Sequence, residues 1–130
     1  MARVLALSAD LMFGSRLQGA LAAAGHELEL IGDEQKLRAR LADDAAPAPA
    51  LLIFDLTDER LDGAAALEAL RSAGQLGALP ALAFYSHVDV AVRERAEQAG
   101  FELVVPRSRM AREGAALVGA LIERGAGTSR

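Results

Sequence analysis

Short apolar runs alternate along the chain with stretches in which apolar residues recur at helical spacing. "RVLALS", Arg3 to Ser8, is too short to be a helix that stands alone and reads as a strand. After it, Phe13, Leu17, Ala20, Leu21 and Ala24 form a helical stripe that Gly25 stops. "HELELIG" alternates Leu28 and Leu30 against Glu27 and Glu29, which predicts a strand with one polar face near a sheet edge. Asp33 opens a short charged helix with Leu37 and Leu41 inward, and the proline-broken "DDAAPAPA" leads to "LLIFD", a fully apolar strand, Leu51 to Asp55. The pattern then repeats. Asp62 caps a helix carrying Ala66, Leu67 and Leu70 that ends near Gly74 and Gly77, and "PALAFY", Pro80 to Tyr85, is the next strand. Ser86 and Asp89 are spaced like a capping box before the stripe Val88, Val92, Ala96 and Ala99. "FELVV" is the last strand, and Ser108 is expected to cap a final helix through Leu117, Val118, Leu121 and Ile122. Residues 1–124 form one domain, and "GAGTSR", residues 125–130, is expected to be a flexible tail.

Strands apolar on both faces and separated by helices predict an α/β domain, a doubly wound five-stranded parallel sheet covered on both sides. In such sheets the working edge is the carboxyl ends of the strands. Ser8, Ala9, Asp10, Asp55, Thr57, Tyr85, Ser86 and Arg107 are therefore expected to converge there. Asp55, at the end of the third strand, has three open roles: a nucleophile accepting a phosphoryl group, a magnesium ligand, or a cap on the following loop.

Composition narrows this. At 130 residues the chain has room for one real core. A net charge of −4 supplies no basic patch for nucleic acid, and no cysteine is present for disulfides, thiolate metal sites or a thiol nucleophile, which fits a cytoplasmic setting. No stretch reaches the ~18 apolar residues of a membrane helix, and the opening run, broken by Asp10, is not a signal peptide. "SADLMFGS" carries neither G-x-G-x-x-G nor a P-loop lysine. "FDLTD" has Thr57 in place of the second acid of a phosphatase D-x-D start. These last two observations weigh against a nucleotide-binding or phosphatase-like domain.

"LLIFDLTDERLDG" resembles the central strand and loop of response-regulator receiver domains, CheY-like, in which an apolar strand ends in the phosphoaccepting aspartate and an Asp-Gly follows seven residues on. Asp55 and Asp62-Gly63 match that spacing, and Pro80 before the fourth strand, Ala99-Gly100 before the fifth and a basic residue after it extend the likeness over nearly the whole chain. The resemblance implies a flavodoxin-like fold of strand order 2-1-3-4-5 with Asp55 in the phosphoacceptor slot. It also implies departures. Ser8 and Ala9 stand where receivers carry two magnesium-binding acids, with Asp10 one place later. Tyr85 stands in the threonine or serine slot, with Ser86 next, and Arg107 stands in the lysine slot. Magnesium takes one or two carboxylates in near-octahedral oxygen geometry, so Asp10, Asp55 and the Thr57 carbonyl make a weak or absent metal site and no other cofactor is expected. Arg107 is free to pair with Asp55 directly.

These departures predict an atypical receiver, not an enzyme, acting in two-component signalling by protein–protein interaction. The alternative is a functional phosphoacceptor phosphorylated on Asp55 by a histidine kinase. The implied partner is a kinase, a regulator or a second copy, over a surface of about residues 90–122, and neither nucleic acid nor membrane is expected as a partner. No output domain follows "VVPRS", so the unit is expected to stand alone or to be one part of a longer protein. His26 and His87 read as loop histidines, Asp58 and Glu59 as solvated loop acids, and "RERAEQ" as an exposed helix face.

Overall fold

The computed structural model describes residues 2–58, 60–86 and 90–128, with side chains described as far as Gly125. Strands and helices alternate throughout: β1 (Ala2–Leu7), α1 (Leu11–Ala23), β2 (His26–Ile31), α2 (Glu34–Ala42), β3 (Leu51–Asp55), α3 (Gly63–Ser72), β4 (Ala81–Tyr85), α4 (Val90–Ala99), β5 (Leu103–Pro106) and α5 (Arg107–Thr128). All four strand pairings are parallel, and the order across the sheet is β2-β1-β3-β4-β5, as expected.

The two faces of the sheet bury separate cores. On one, Val4, Ala6, Ile53, Leu82 and Val105 meet Phe13, Leu17 and Leu21 of α1 and Met110, Val118 and Leu121 of α5. On the other, Leu5, Leu7, Leu52 and Phe54 meet Leu37 of α2, Ala66, Leu67 and Leu70 of α3, and Ala96 and Ala99 of α4. Every residue of β3 and β4 is buried, which is why these strands read as unbroken apolar runs. Helices α1 and α5 approach closely because Gly114 has no side chain: a Cβ there would stand 2.9 Å from the Leu17 Cδ1.

At the β2 edge, Arg3 bonds Glu27 at 2.7 Å and lies 3.7 Å from Glu29, which Arg40 of α2 also holds at 3.1 Å. The polar face of β2 is thus an ion-pair lattice. At the other edge, Glu102 anchors the start of β4 by accepting the Ala81 N–H at 2.7 Å, while its second oxygen accepts from Arg71 at 3.2 Å. Arg71 also donates to the Gly100 carbonyl at 2.9 Å, and Gly100 adopts φ of +98°, the left-handed turn that ends α4.

Asp10, Asp33 and Asp62 each accept the N–H three residues on and so cap α1, α2 and α3. Several expectations change. Ser108 does not cap α5, which begins one residue earlier at Arg107. α5 continues to Thr128, so its last residues fall in the stretch read as tail. Ala20 and Ala24 face solvent, and Gly14 takes a buried place on α1 instead. His26 is not a loop residue but the first of β2, half-buried, with a buried Nδ1 that has no hydrogen-bond partner among the described residues. The proposed box of Ser86 and Asp89 falls partly outside the described residues, as do Glu59, His87 and Val88.

Leu70 is fully buried against the sheet. Leu70→Ala is expected to lower the free energy of unfolding by about 2–5 kcal/mol, and Asp62→Ala, which removes only a cap, by about 1 kcal/mol. Urea unfolding at unchanged slope measures both.

Candidate functional site

Strand order reverses between β1 and β3, and their carboxyl ends lie side by side. There the chain places Ser8, held in line by its N–H donating to the Ile31 carbonyl at 3.0 Å, and Asp55, the last residue of β3. Both are buried, Ser8 at 6% exposure and Asp55 at 1%, and among the described residues they are the buried polar side chains. A carboxyl at that depth must be satisfied by donors. Asp55 has three. The Ser8 hydroxyl donates to Oδ2 at 2.7 Å, and Thr57 donates to Oδ1 through its N–H at 2.8 Å and its hydroxyl at 2.5 Å. The Thr57 contact is a local turn in which a strand-end aspartate caps its own loop, so the structural role foreseen for Asp55 is present.

Ser8 works in both directions. Its Oγ donates to Asp55 and accepts the Asp10 N–H at 3.2 Å. Asp10 is likewise used twice: Oδ1 accepts the Phe13 N–H at 3.0 Å as the cap of α1, and Oδ2 accepts from Arg107 Nη2 at 2.9 Å. The Phe13 amide, followed by the Arg107 guanidinium, holds the Asp10 carboxyl below the usual carboxylate range against the opposing effect of desolvation. The Arg107 guanidinium also lies over the Phe13 ring, 4.5 Å from its centroid, and that ring packs on Phe84 at 4.9 Å.

The predicted site residues sort accordingly. Ser8, Ala9, Asp10, Asp55, Thr57 and Arg107 come together at this edge. Arg107, expected to pair with Asp55, pairs with Asp10 instead, because Ser8 and Thr57 already occupy the Asp55 oxygens and the Phe13 ring draws the guanidinium toward α1. Tyr85 is buried at 7% exposure, opposite Pro106 in the β4–β5 register, and Ser86 is exposed. An open cleft of about 460 Å³ beside Asp55 is lined by Ala9, Asp10, Asp55, Thr57, Asp58 and Arg60. Asp58, read as a solvated acid, instead accepts from Arg60 through both oxygens, at 3.1 and 3.0 Å, and this guanidinium holds its carboxyl below the usual range. Arg60 was not foreseen, since an arginine within an acidic loop has no distinguishing spacing. Phe13 was read only as core, although it lies one turn from Asp10.

Asp10, Asp55 and the Thr57 carbonyl, with Asp58 lining the same cleft, are the oxygens available to a divalent cation, and they fit one poorly. Each carboxyl already has both oxygens engaged by protein donors. Among the described residues no cluster of three or more acids or histidines converges on a point that would hold a metal ion.

No protein-family model matches the chain, and no curated protein matches it. Solved structures do. A CheY-like response regulator receiver domain protein from Methanospirillum hungatei JF-1 is similar over 98% of this chain and 98% of its own, at 13% identity and a TM-score of 0.83. A response regulator of Chloroflexus aurantiacus J-10-fl, described as putative, is similar over 94% and 98%, at 18% identity and a TM-score of 0.82. NtrX from Brucella abortus is similar over 98% of this chain and 28% of its own, at 22% identity and a TM-score of 0.84. In strand order and in the alternation of five strands with five helices, the chain has the fold of response-regulator receiver domains.

Proposed function

We infer that this domain is an atypical receiver of two-component signalling, not an enzyme, that works by binding a protein and takes up a phosphoryl group at Asp55 weakly or not at all. One observation carries the reading: the Ser8 hydroxyl bonds the buried Asp55 carboxyl at the position where a receiver places a metal-binding acid. Phosphoryl transfer needs its developing charge neutralised by a metal and fixed cations. Here a neutral donor fills that place, Asp10 is tied to Arg107, and Arg60 is tied to Asp58. The cations near Asp55 are thus already paired with other acids.

The partner on this reading is a histidine kinase, a regulator or a second copy, meeting the domain over α4, β5 and α5, about residues 90–122. Val90 is exposed at the start of that surface. A cytoplasmic location goes with the reading, and among the described residues no helix is long and apolar enough to cross a membrane. The competing reading, a phosphoacceptor served by a histidine kinase, rests on the cleft that opens beside Asp55.

Incubation with acetyl phosphate and Mg²⁺ separates the two. Intact-mass measurement should show a phosphoryl adduct on only a minor fraction of the protein. A stoichiometric adduct that Asp55→Asn abolishes would establish the phosphoacceptor and overturn the proposal.

The metal argument has its own test. Ser8→Asp/Ala9→Asp sets one acid in the buried place of Ser8 and a second at the exposed place of Ala9 in the same cleft, and should lower stability in metal-free buffer by about 1–3 kcal/mol through the unpaired buried like charge at position 8. Mg²⁺ at ten times its dissociation constant should then restore about 1.4 kcal/mol. Thermal unfolding of the unsubstituted protein should not respond to the same Mg²⁺; a comparable rise there would show that its own oxygens bind the ion.

A further inference from the structure

We propose that the groove between α3 and α4 is a docking site for a basic amphipathic helix of a partner protein. The groove has a volume of about 370 Å³, and Leu56, Leu61, Ala64, Ala91 and Val92 give it an apolar lining. Ala64 belongs to the core beneath, and Leu56 packs against that core. Leu61 does neither: it is half-buried in the loop after β3 and outside both cores. On the opposite wall Val92 is half-buried, and Val90, two residues before it, is 62% exposed. The fold thus leaves aliphatic surface uncovered on both sides of one groove, and covering such surface is what a partner gains by binding.

Charge decides the occupant. Three charged side chains line the groove, Asp58, Asp62 and Arg95. Arg60 neutralises Asp58, and both oxygens of Glu68 hold Arg95, at 3.1 and 2.5 Å. Asp62 is left uncompensated: its Oδ1 accepts the Ala65 N–H, and among the described residues no cation pairs with it. The groove therefore offers aliphatic walls and one open carboxylate, while its cation is already taken. A segment with aliphatic residues three and four apart and a lysine or arginine beside them matches both features, whereas an acidic segment would set like charge against Asp62. An extended segment would need a strand edge, and β3 and β4, which lead into these elements, are internal to the sheet. A helix pairs its own backbone and needs none. The groove lies on the α3 side of α4, so this surface is additional to the one formed by α4, β5 and α5, and it stands whichever way Asp55 phosphorylation falls.

Titration of the nitrogen-15-labelled domain with a synthetic peptide, followed by amide chemical shifts, tests it. The probe is a helix of about 18 residues with leucines three and four apart and lysines between them. The amides of Leu61, Ala64 and Val92 should shift together, and those of Leu11 and Met12, exposed apolar residues elsewhere, should not. A scrambled peptide of the same composition, and a counterpart with glutamate for lysine, should each bind at least about tenfold more weakly. Leu61→Gln, outside both cores, should weaken binding of the lysine peptide about tenfold. Asp62→Ser keeps a capping oxygen, removes the charge and should weaken it about threefold. Asp44→Ser, the same loss of charge in the loop before β3, should leave it unchanged. Equal binding of the scrambled peptide, full affinity in Leu61→Gln, or shifts centred on Leu11 and Met12 would overturn the proposal. So would concentration-dependent shifts of the groove amides in the domain alone, which would make a second copy the occupant.

Discussion

The constraint on which this edge of the molecule depends is that the Asp55 carboxyl is buried and has to be satisfied where it stands. A carboxyl buried at the end of a parallel strand and left without donors would cost several kcal/mol. In this structure the one acid is surrounded by neutral donors. Ser8 and Thr57 supply the donors, and the loops that carry them follow. Thr57 sets the turn after β3, and Ser8 sets where α1 begins by fixing the Asp10 amide.

Much of the architecture was legible in the sequence, because burial on both faces writes unbroken apolar runs such as "LLIFD" and "PALAFY", while an edge strand writes an alternation such as "HELELI". The aspartate caps at positions 33 and 62 were legible for a local reason, since a cap and its amide lie three residues apart. What sequence reasoning missed lies in three dimensions. Arg107 was assigned to Asp55 because both sit at the correct strand ends, but the choice between Asp55 and Asp10 depends on which acceptor is already occupied and on an aromatic ring nearby. Ser8 was read as the loss of an acid. Its gain, a hydroxyl that bonds in two directions, shows only when the neighbouring strand is in place. The start of α5 was misplaced by one residue, and its end because "GAGT" is a weak helix former that the packed body of the helix carries along.

The two cores divide the labour of the fold unequally. The face bearing α1 and α5 contains Phe13, Phe84, Leu17 and Gly114, and the site's charged groups rest on it. The face bearing α2, α3 and α4 packs small residues such as Ala64, Ala66, Ala96 and Ala99 against the sheet. An alanine-rich interface has few interlocking side chains and is held largely by close approach, with the exposed Arg95–Glu68 pair spanning α4 and α3 at its surface.

The ion-pair lattice on β2 has a consequence for how the protein behaves in a crowded solution. An open sheet has two free edges, each a row of unpaired backbone groups that invites a stranger's strand. At the β2 edge, Glu27 and Glu29 bring charge to the strand, and Arg3 and Arg40 tie them down, so an incoming strand would have to dehydrate or break those pairs to settle beside it. At the β5 edge the defence differs: the strand is four residues long and ends in Pro106, which has no N–H to offer. One margin is guarded by charge and the other by brevity, so salt, which weakens only the first, would make the two margins unequally sticky.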